Sequence, residues 1–363
     1  MERNLTTGNI GKTIAYFALP YLLSYFLQTL YGMADLFIIG QFDGVDGITA
    51  VSNGGQVMHM LTVIIVGLAM GTTVTIGKSV GAGKLDAASA SIGNTVTFFM
   101  GMSVVVMAVL VFLVNPIVTL IGIPAEAVAG TRQYLFVCFL GIPFITAYNV
   151  ISAIFRGLGD SKSPMYFIAI ACVANIVLDY VFIGGLGMGP IGAALGTTLA
   201  QTISVIISLI AIRRKETGIH LTKKEFRVKG DVLGQILKIG IPVAVQDGCI
   251  QVAFIVISVI ANHRGLNDAA AVGVVEKLIG MIFIVPSSML ATVSALSAQN
   301  IGAGRHDRAR KLLRYAILIT GSYGIVMTIL IELFSKQIVG IFTTDAAVIL
   351  LGSQYISSYI IDC

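Results

Sequence analysis

The sequence predicts an all-α polytopic membrane protein of two parallel six-helix lobes, the second incomplete in the chain given. Three observations carry this. Of 363 residues, 56% are hydrophobic and 11% charged, with a mean hydropathy of +0.92, where a soluble domain carries roughly 25% charged residues. The apolar residues gather in runs of about 20 or more, the length a helix needs to cross a bilayer. A short glycine pattern after the second run returns after the eighth.

In chain order the runs read as spans at 14–39, 48–76, 91–113, 131–153, 165–185, 190–212, 235–261, 269–293 and 312–333, with a tenth begun at 346. Residues 1–13 are polar, and the run after them is too long for a signal-peptide core and lacks a small-residue cleavage site, so no cleavable signal peptide is expected. Pro20, Pro143, Pro242 and Pro286 fall inside spans. Each lacks an N–H and frees a carbonyl one turn back, so each can kink its helix, and Pro20 is the candidate hinge.

The basic residues fix orientation. Arg3, Lys12, Lys78, Lys84, Arg156 and Lys162 lie on the side of the N-terminus, with eight more between Arg213 and Lys238 and five between Arg305 and Arg314. Opposite loops hold only Arg264 and Lys336, while Arg132 and Lys277 lie in or at the ends of spans. The positive-inside rule then predicts a cytoplasmic N-terminus in a multi-pass plasma-membrane protein. The net charge of +5 forms no basic stripe with interleaved aromatics, so no nucleic acid partner is expected. Cys138, Cys172 and Cys249 sit in apolar runs and Cys363 ends the chain, without metal or disulfide spacing.

The repeat sets the domain plan. Val80-Gly81-Ala82-Gly83-Lys84-Leu85-Asp86-Ala87-Ala88 returns as Ile301-Gly302-Ala303-Gly304-Arg305-His306-Asp307-Arg308-Ala309, 221 residues on. Ala18-Leu19-Pro20 likewise matches Gly240-Ile241-Pro242, and Ala50-Val51 matches Ala271-Val272. Six spans separate the copies, so both lobes share one orientation, about an axis along the membrane normal. The expected division is residues 1–212 as the first lobe, 213–234 as a basic cytoplasmic linker, and 235–363 as the second lobe. By the same repeat a complete second lobe would end near 433, leaving this one two and a half helices short. The Gly-Ala-Gly-Lys/Arg loops lack the phosphate-loop pattern and a preceding strand. They are expected to be tight turns with their bases against headgroups.

Polar residues inside the apolar runs mark the functional candidates. Asp179 lies within the run 165–185, and Asn175 is one helical turn away on the same face. An ionised carboxylate at that depth costs at least about 2.5 kcal/mol, so it faces a bundle interior or wet cavity and has a partner, or serves neutral as interhelical glue. At about 1.5 Å per residue, Asp35, Asp179 and Thr197 fall within roughly 6 to 10 Å of one membrane boundary, with Asn175 a turn deeper. Two carboxylates, an amide oxygen and a hydroxyl suit a hard monovalent cation or a proton shared between acids. Gln28 and Tyr31 share the face of Asp35 and can line its path. Asp247 and Glu276 are buried acids of the second lobe and candidates for a further coupling role. The 13 Met and 18 Phe suggest an adaptable lining for mixed cargo, or ordinary lipid-facing and core packing.

Met33-Ala34-Asp35 with Gly40, the Gly-Ala-Gly-Lys loop, Arg156-Gly157-Leu158-Gly159-Asp160-Ser161-Lys162-Ser163-Pro164, Asn175-x-x-x-Asp179, and Gly185-Leu186-Gly187-Met188-Gly189-Pro190-x-Gly192-Ala193-Ala194 resemble the multidrug and toxic compound extrusion (MATE) transporters. The likeness runs from about residue 6 to the end. It implies a two-lobe antiporter of twelve helices, exporting amphipathic, often cationic compounds through a central cavity in exchange for sodium or protons; a monomer is expected. No other cofactor is expected. Asp35, Asn175, Asp179 and Thr197 match the family's cation ligands, and a carboxylate of the seventh span, here Asp247, serves in some members. The alternatives are a lipid-linked precursor flippase of the same superfamily, whose cavity should carry several basic residues, or a fragment without activity.

An enzyme is not expected. Gly157-Leu158-Gly159-Asp160 matches the Gly-x-Gly-Asp of intramembrane aspartyl proteases, which need a second membrane Asp, yet it falls in a predicted basic loop. No His-Glu-x-x-His occurs, and His59, His220, His263 and His306 do not cluster.

Overall fold

The computed structural model describes residues 5–214, 221–343 and 345–360; Arg3, Cys363, and His220 with the rest of linker positions 215–220 lie outside the described residues. Regular structure among the described residues is helical. The helices are α1 (Ile10–Phe42), α2 (Gly44–Gly81), α3 (Leu85–Ile121), α4 (Ala125–Leu140), α5 (Ile142–Gly157), α6 (Lys162–Asp179), α7 (Gly189–Arg214), α8 (Gly230–Arg264), α9 (Leu266–Ile282), α10 (Ile284–Gly302), α11 (His306–Gly340) and α12 (Ala346–Tyr359). Eight segments are long and apolar enough to cross a bilayer, counting α9 and α10 as one and α6 with the π-helical turn that follows it as one; the α4–α5 pair, bent by 51°, makes a ninth. These are the nine spans of the sequence reading. The tenth run forms α12.

The breaks have local causes. Pro143 follows Gly141 at the α4–α5 bend, where a missing N–H and a residue without a side chain coincide. α9 stops at Ile282, the residue whose carbonyl the ring of Pro286 would meet, and α10 resumes at Ile284. α1 and α8 run unbroken through Pro20 and Pro242. At the first of these, Ser24 Oγ donates to the Pro20 carbonyl at 2.8 Å.

Asp160 starts α6. Its Oδ1 accepts from the N–H groups of Lys162 and Ser163, each at 3.0 Å, and its Oδ2 from the Ser163 hydroxyl. That turn-closing use accounts for the acid without protease chemistry.

Close helix contacts are made by glycines. A Cβ at Gly71 would strike the carbonyl of Ile236, and one at Gly240 would strike that of Leu68. The α2 and α8 backbones therefore touch, as small residues allow in membrane bundles. The two repeat loops also meet. Gly83 and Gly304 have φ of 69° and 70°, the left-handed turn that glycine adopts without a Cβ penalty. A Cβ on Gly81 would hit the Gln299 carbonyl and one on Gly302 the Lys78 carbonyl. Lys78 and Gln299 are themselves 221 residues apart, so one contact is made twice about an axis between the loops. Gly77 and Ala298, also repeat mates, meet near that axis, a Cβ on the first falling 3.1 Å from that of the second.

This end of the bundle is tied shut by polar contacts to backbone. Arg305 donates to the Thr6 carbonyl at 2.7 Å, and Arg308 to those of Gly8 and Thr7 at 2.7 and 2.8 Å. Gln299 donates to the Gly157 carbonyl at 2.9 Å. Arg305, one of the two loop bases, thus gives part of its guanidinium to a main-chain carbonyl. The described part of the linker is docked as well: Asn94 of α3, fully buried, donates to the Glu225 carbonyl at 3.2 Å and accepts from the Lys229 N–H, while Thr97 donates to the Phe226 carbonyl at 2.8 Å.

Candidate cation site

Asp35, Asn175, Asp179 and Thr197, spread over 163 positions of sequence, converge between α1, α6 and α7. Thr197 Oγ1 donates to Asp35 Oδ2 at 3.2 Å, and Asn175 Nδ2 approaches Thr197 Oγ1 at 3.5 Å. The Asp35 and Asp179 carboxyls lie within interaction range of each other. Both acids and Asn175 are buried, at 5%, 0% and 2% exposure, so water screening does not reach them. Ile38, Ile39, Cys138, Phe139 and Ala193 belong to the surrounding apolar cluster.

Four oxygens of this group have no hydrogen-bond partner: Asp35 Oδ1, Asn175 Oδ1 and both oxygens of Asp179. Two carboxylates with unpartnered oxygens in a dry space cannot both stay charged without a positive species among them. The chemistry open to the group is to take up a proton between the acids, or a small hard cation on the oxygens. Among the described residues no group of three or more His, Cys, Asp or Glu side chains is placed to hold a metal ion, this site included.

Sequence reasoning missed two supports. A Cβ on Gly196 would overlap Asp179 Oδ1, so α7 presents bare backbone where the acid sits. Its signal was the Gly192-x-x-x-Gly196 spacing, the small-residue pattern of close membrane helices. Directly after Asp179 the helix widens into a π-helical turn, Tyr180–Gly185, a feature often found at functional sites; Gly184-Gly185 was its only cue. Gln201, one turn past Thr197, is buried with Oε1 unpartnered.

The remaining candidates separate. Tyr31 lines a narrow pocket with Asn175, Thr197 and Gln201, with no space for a water. Gln28 lines a different cleft, with Tyr21, Tyr148 and Arg156. Asp247 is half-buried on α8 toward α2, where a Cβ on Gly67 would lie 3.1 Å from its Oδ2. Glu276 of α9 accepts from Ser258 of α8 at 2.8 Å. These two acids thus have their own neighbours, distinct from those of Asp35.

Comparison with known proteins identifies the family. The "probable multidrug resistance protein YoeA" of Bacillus subtilis is 28% identical over 344 residues, covering 93% of this chain and 74% of its own length. The "multidrug export protein MepA" of Staphylococcus aureus is 24% identical over 348 residues, covering 94% of this chain and 75% of its own. Among solved structures, an outward-facing multidrug resistance MATE family transporter superposes with a TM-score of 0.87 at 23% identity, over 98% of this chain and 79% of that one. The MatE family model matches residues 20–181 and 242–362. With most of its length matched, and with the fold of a solved member, the chain belongs to the MatE (MATE) family of membrane transporters.

Proposed function

We propose that the chain is a cation-coupled antiporter of the plasma membrane, driven by protons or sodium, exporting amphipathic compounds through a cavity between lobes 1–212 and 235–363, with the N-terminus and linker cytoplasmic. Multidrug export is what the name of MepA states of that relative, and multidrug resistance what the name of YoeA states. The observation that carries the coupling reading is the buried meeting of Asp35 with Asp179, beside Thr197 and Asn175, with four oxygens unpartnered. A positive species satisfies that group, and its departure leaves two acids without compensation. Such a site can drive alternation, because a ligand shifts a conformational equilibrium by its difference in affinity between the states.

The test is Asp179→Asn in proteoliposomes. Efflux of a fluorescent amphipathic cation driven by a pH or sodium gradient is expected to stop, while membrane insertion and cargo binding persist. Gradient-driven efflux at the wild-type rate would overturn the assignment.

A further inference from the structure

The cleft of Gln28 lies between α1, α2, α5 and α6, apart from the acid pair, and its chemistry is of opposite sign. Its one charged lining residue is Arg156, and no carboxylate lines it. The guanidinium stands 5.4 Å from the Tyr21 ring centroid, a stacking contact that leaves its N–H groups available. Around it stand hydroxyls and amides, among them Tyr21, Tyr148, Ser152 and Gln28. Tyr21 and Ser152 are 4% and 2% exposed; the Tyr21 hydroxyl has no partner, and that of Ser152 has none of good geometry, lying beside the Tyr148 hydroxyl. Buried hydroxyls are normally bonded, so two of them aimed beside an unpaired guanidinium describe a place prepared for an acceptor. Arg156 ends α5 and complements its dipole there, which explains the sign of the charge but not the ring of donors. The cleft encloses about 30 Å³, room for a group the size of one or two waters.

We propose that this cleft holds the anionic group of an amphiphile, a carboxylate or phosphate, with Arg156 as the charge partner and the Tyr21 and Ser152 hydroxyls as added donors. The cargo it selects is then zwitterionic or acidic, in contrast to the often cationic cargo that the family resemblance implies. The proposal takes its occupant from the transport reading above and rests on it. Guanidinium pairs with carboxylate or phosphate oxygens through charge-assisted bonds, the strongest that neutral donors can supplement.

The test uses the full chain in phosphate-free dodecyl maltoside micelles and two probes, naphthylalanine and its methyl ester, of which only the acid carries a carboxylate. The acid is expected to bind about tenfold or more tighter than the ester, the effect of one bond to a charged group. Arg156→Gln should bring the two within about twofold, and Arg156→Lys should restore part of the difference. Tyr21→Phe removes a hydroxyl that no protein atom uses, so the fold is kept while the acid alone loses about threefold or more. Adding phosphatidylglycerol to the micelles separates the sources: displacement of the acid probe in wild type but not in Arg156→Gln assigns a lipid phosphate, and its absence assigns the carboxylate of the cargo. An acid-to-ester ratio near one in wild type, or one unchanged by Arg156→Gln and Tyr21→Phe, overturns the proposal. Asp179→Asn keeps the two failures apart: it should stop gradient-driven efflux and leave the acid-to-ester ratio as in wild type.

Discussion

Thr197 of α7 donates a hydrogen bond to Asp35 of α1 at 3.2 Å, across 162 positions of sequence. The hydroxyl serves both acid and amide, since Asn175 approaches the same oxygen. Thr197→Val keeps the shape and deletes the donor, so the loss falls on the site and not on packing. Removing one partner of a buried charged group costs about 1–3 kcal/mol. Apparent affinity for the coupling ion should fall about tenfold, read as the ion dependence of efflux in proteoliposomes. An unchanged ion dependence would show that this bond has no part in coupling.

Gly196→Ala should be more damaging than its chemistry suggests. The new methyl lands on Asp179 Oδ1, whereas at Gly192 it would meet Phe182 at 3.1 Å, a contact that a small shift relieves. We expect Gly196→Ala to abolish gradient-driven efflux with normal membrane insertion, and Gly192→Ala to retain most of it. Equal activity in the two variants would contradict this placement of the acid.

The glycine seats at the loop end give a conformational prediction. Gly81→Ala or Gly302→Ala drives a methyl into a carbonyl of the facing loop, an overpacking of about 1–3 kcal/mol against the closed arrangement. That should raise the opened population about 5- to 150-fold. Spin-label distances between positions 84 and 305 would report it; distributions identical to wild type would show that the seats do not hold this end closed.

Asn94→Ala removes both halves of the linker clamp at once, the donor to Glu225 and the acceptor for Lys229. We expect faster amide exchange at residues 225–229 and a loss of about 1–3 kcal/mol in stability, since two backbone groups lose their partner. Protection unchanged at the Lys229 amide would count against the clamp.

Much of this was legible in the sequence because a membrane makes polar residues conspicuous. Asp179 stood out within an apolar run, and depth along the helices grouped it with Asp35 and Thr197 before any contact was known. The spans followed from run length, and the repeat from two matching loops. What stayed hidden was whatever depends on the partner helix. Gly196 reads as one glycine among 40 until α6 is laid against it. The π-helical turn after Asp179 is an adjustment of hydrogen bonding at which Gly184-Gly185 only hints. Arg156 counted as one more basic residue near the membrane boundary, and only packing turns its side chain over Tyr21 into a cleft. Asn94 lay in a run read simply as a span, and its clamp exists because the linker passes there.

The twin seats of Gly81 and Gly302 carry one more implication. A fastener made of two copies of one stud and socket, set about a line near Gly77 and Ala298, releases both latches in a single motion, with no zipper-like order from one edge. A bulkier residue in either copy would jam the shared joint, so each half constrains what the other can carry there.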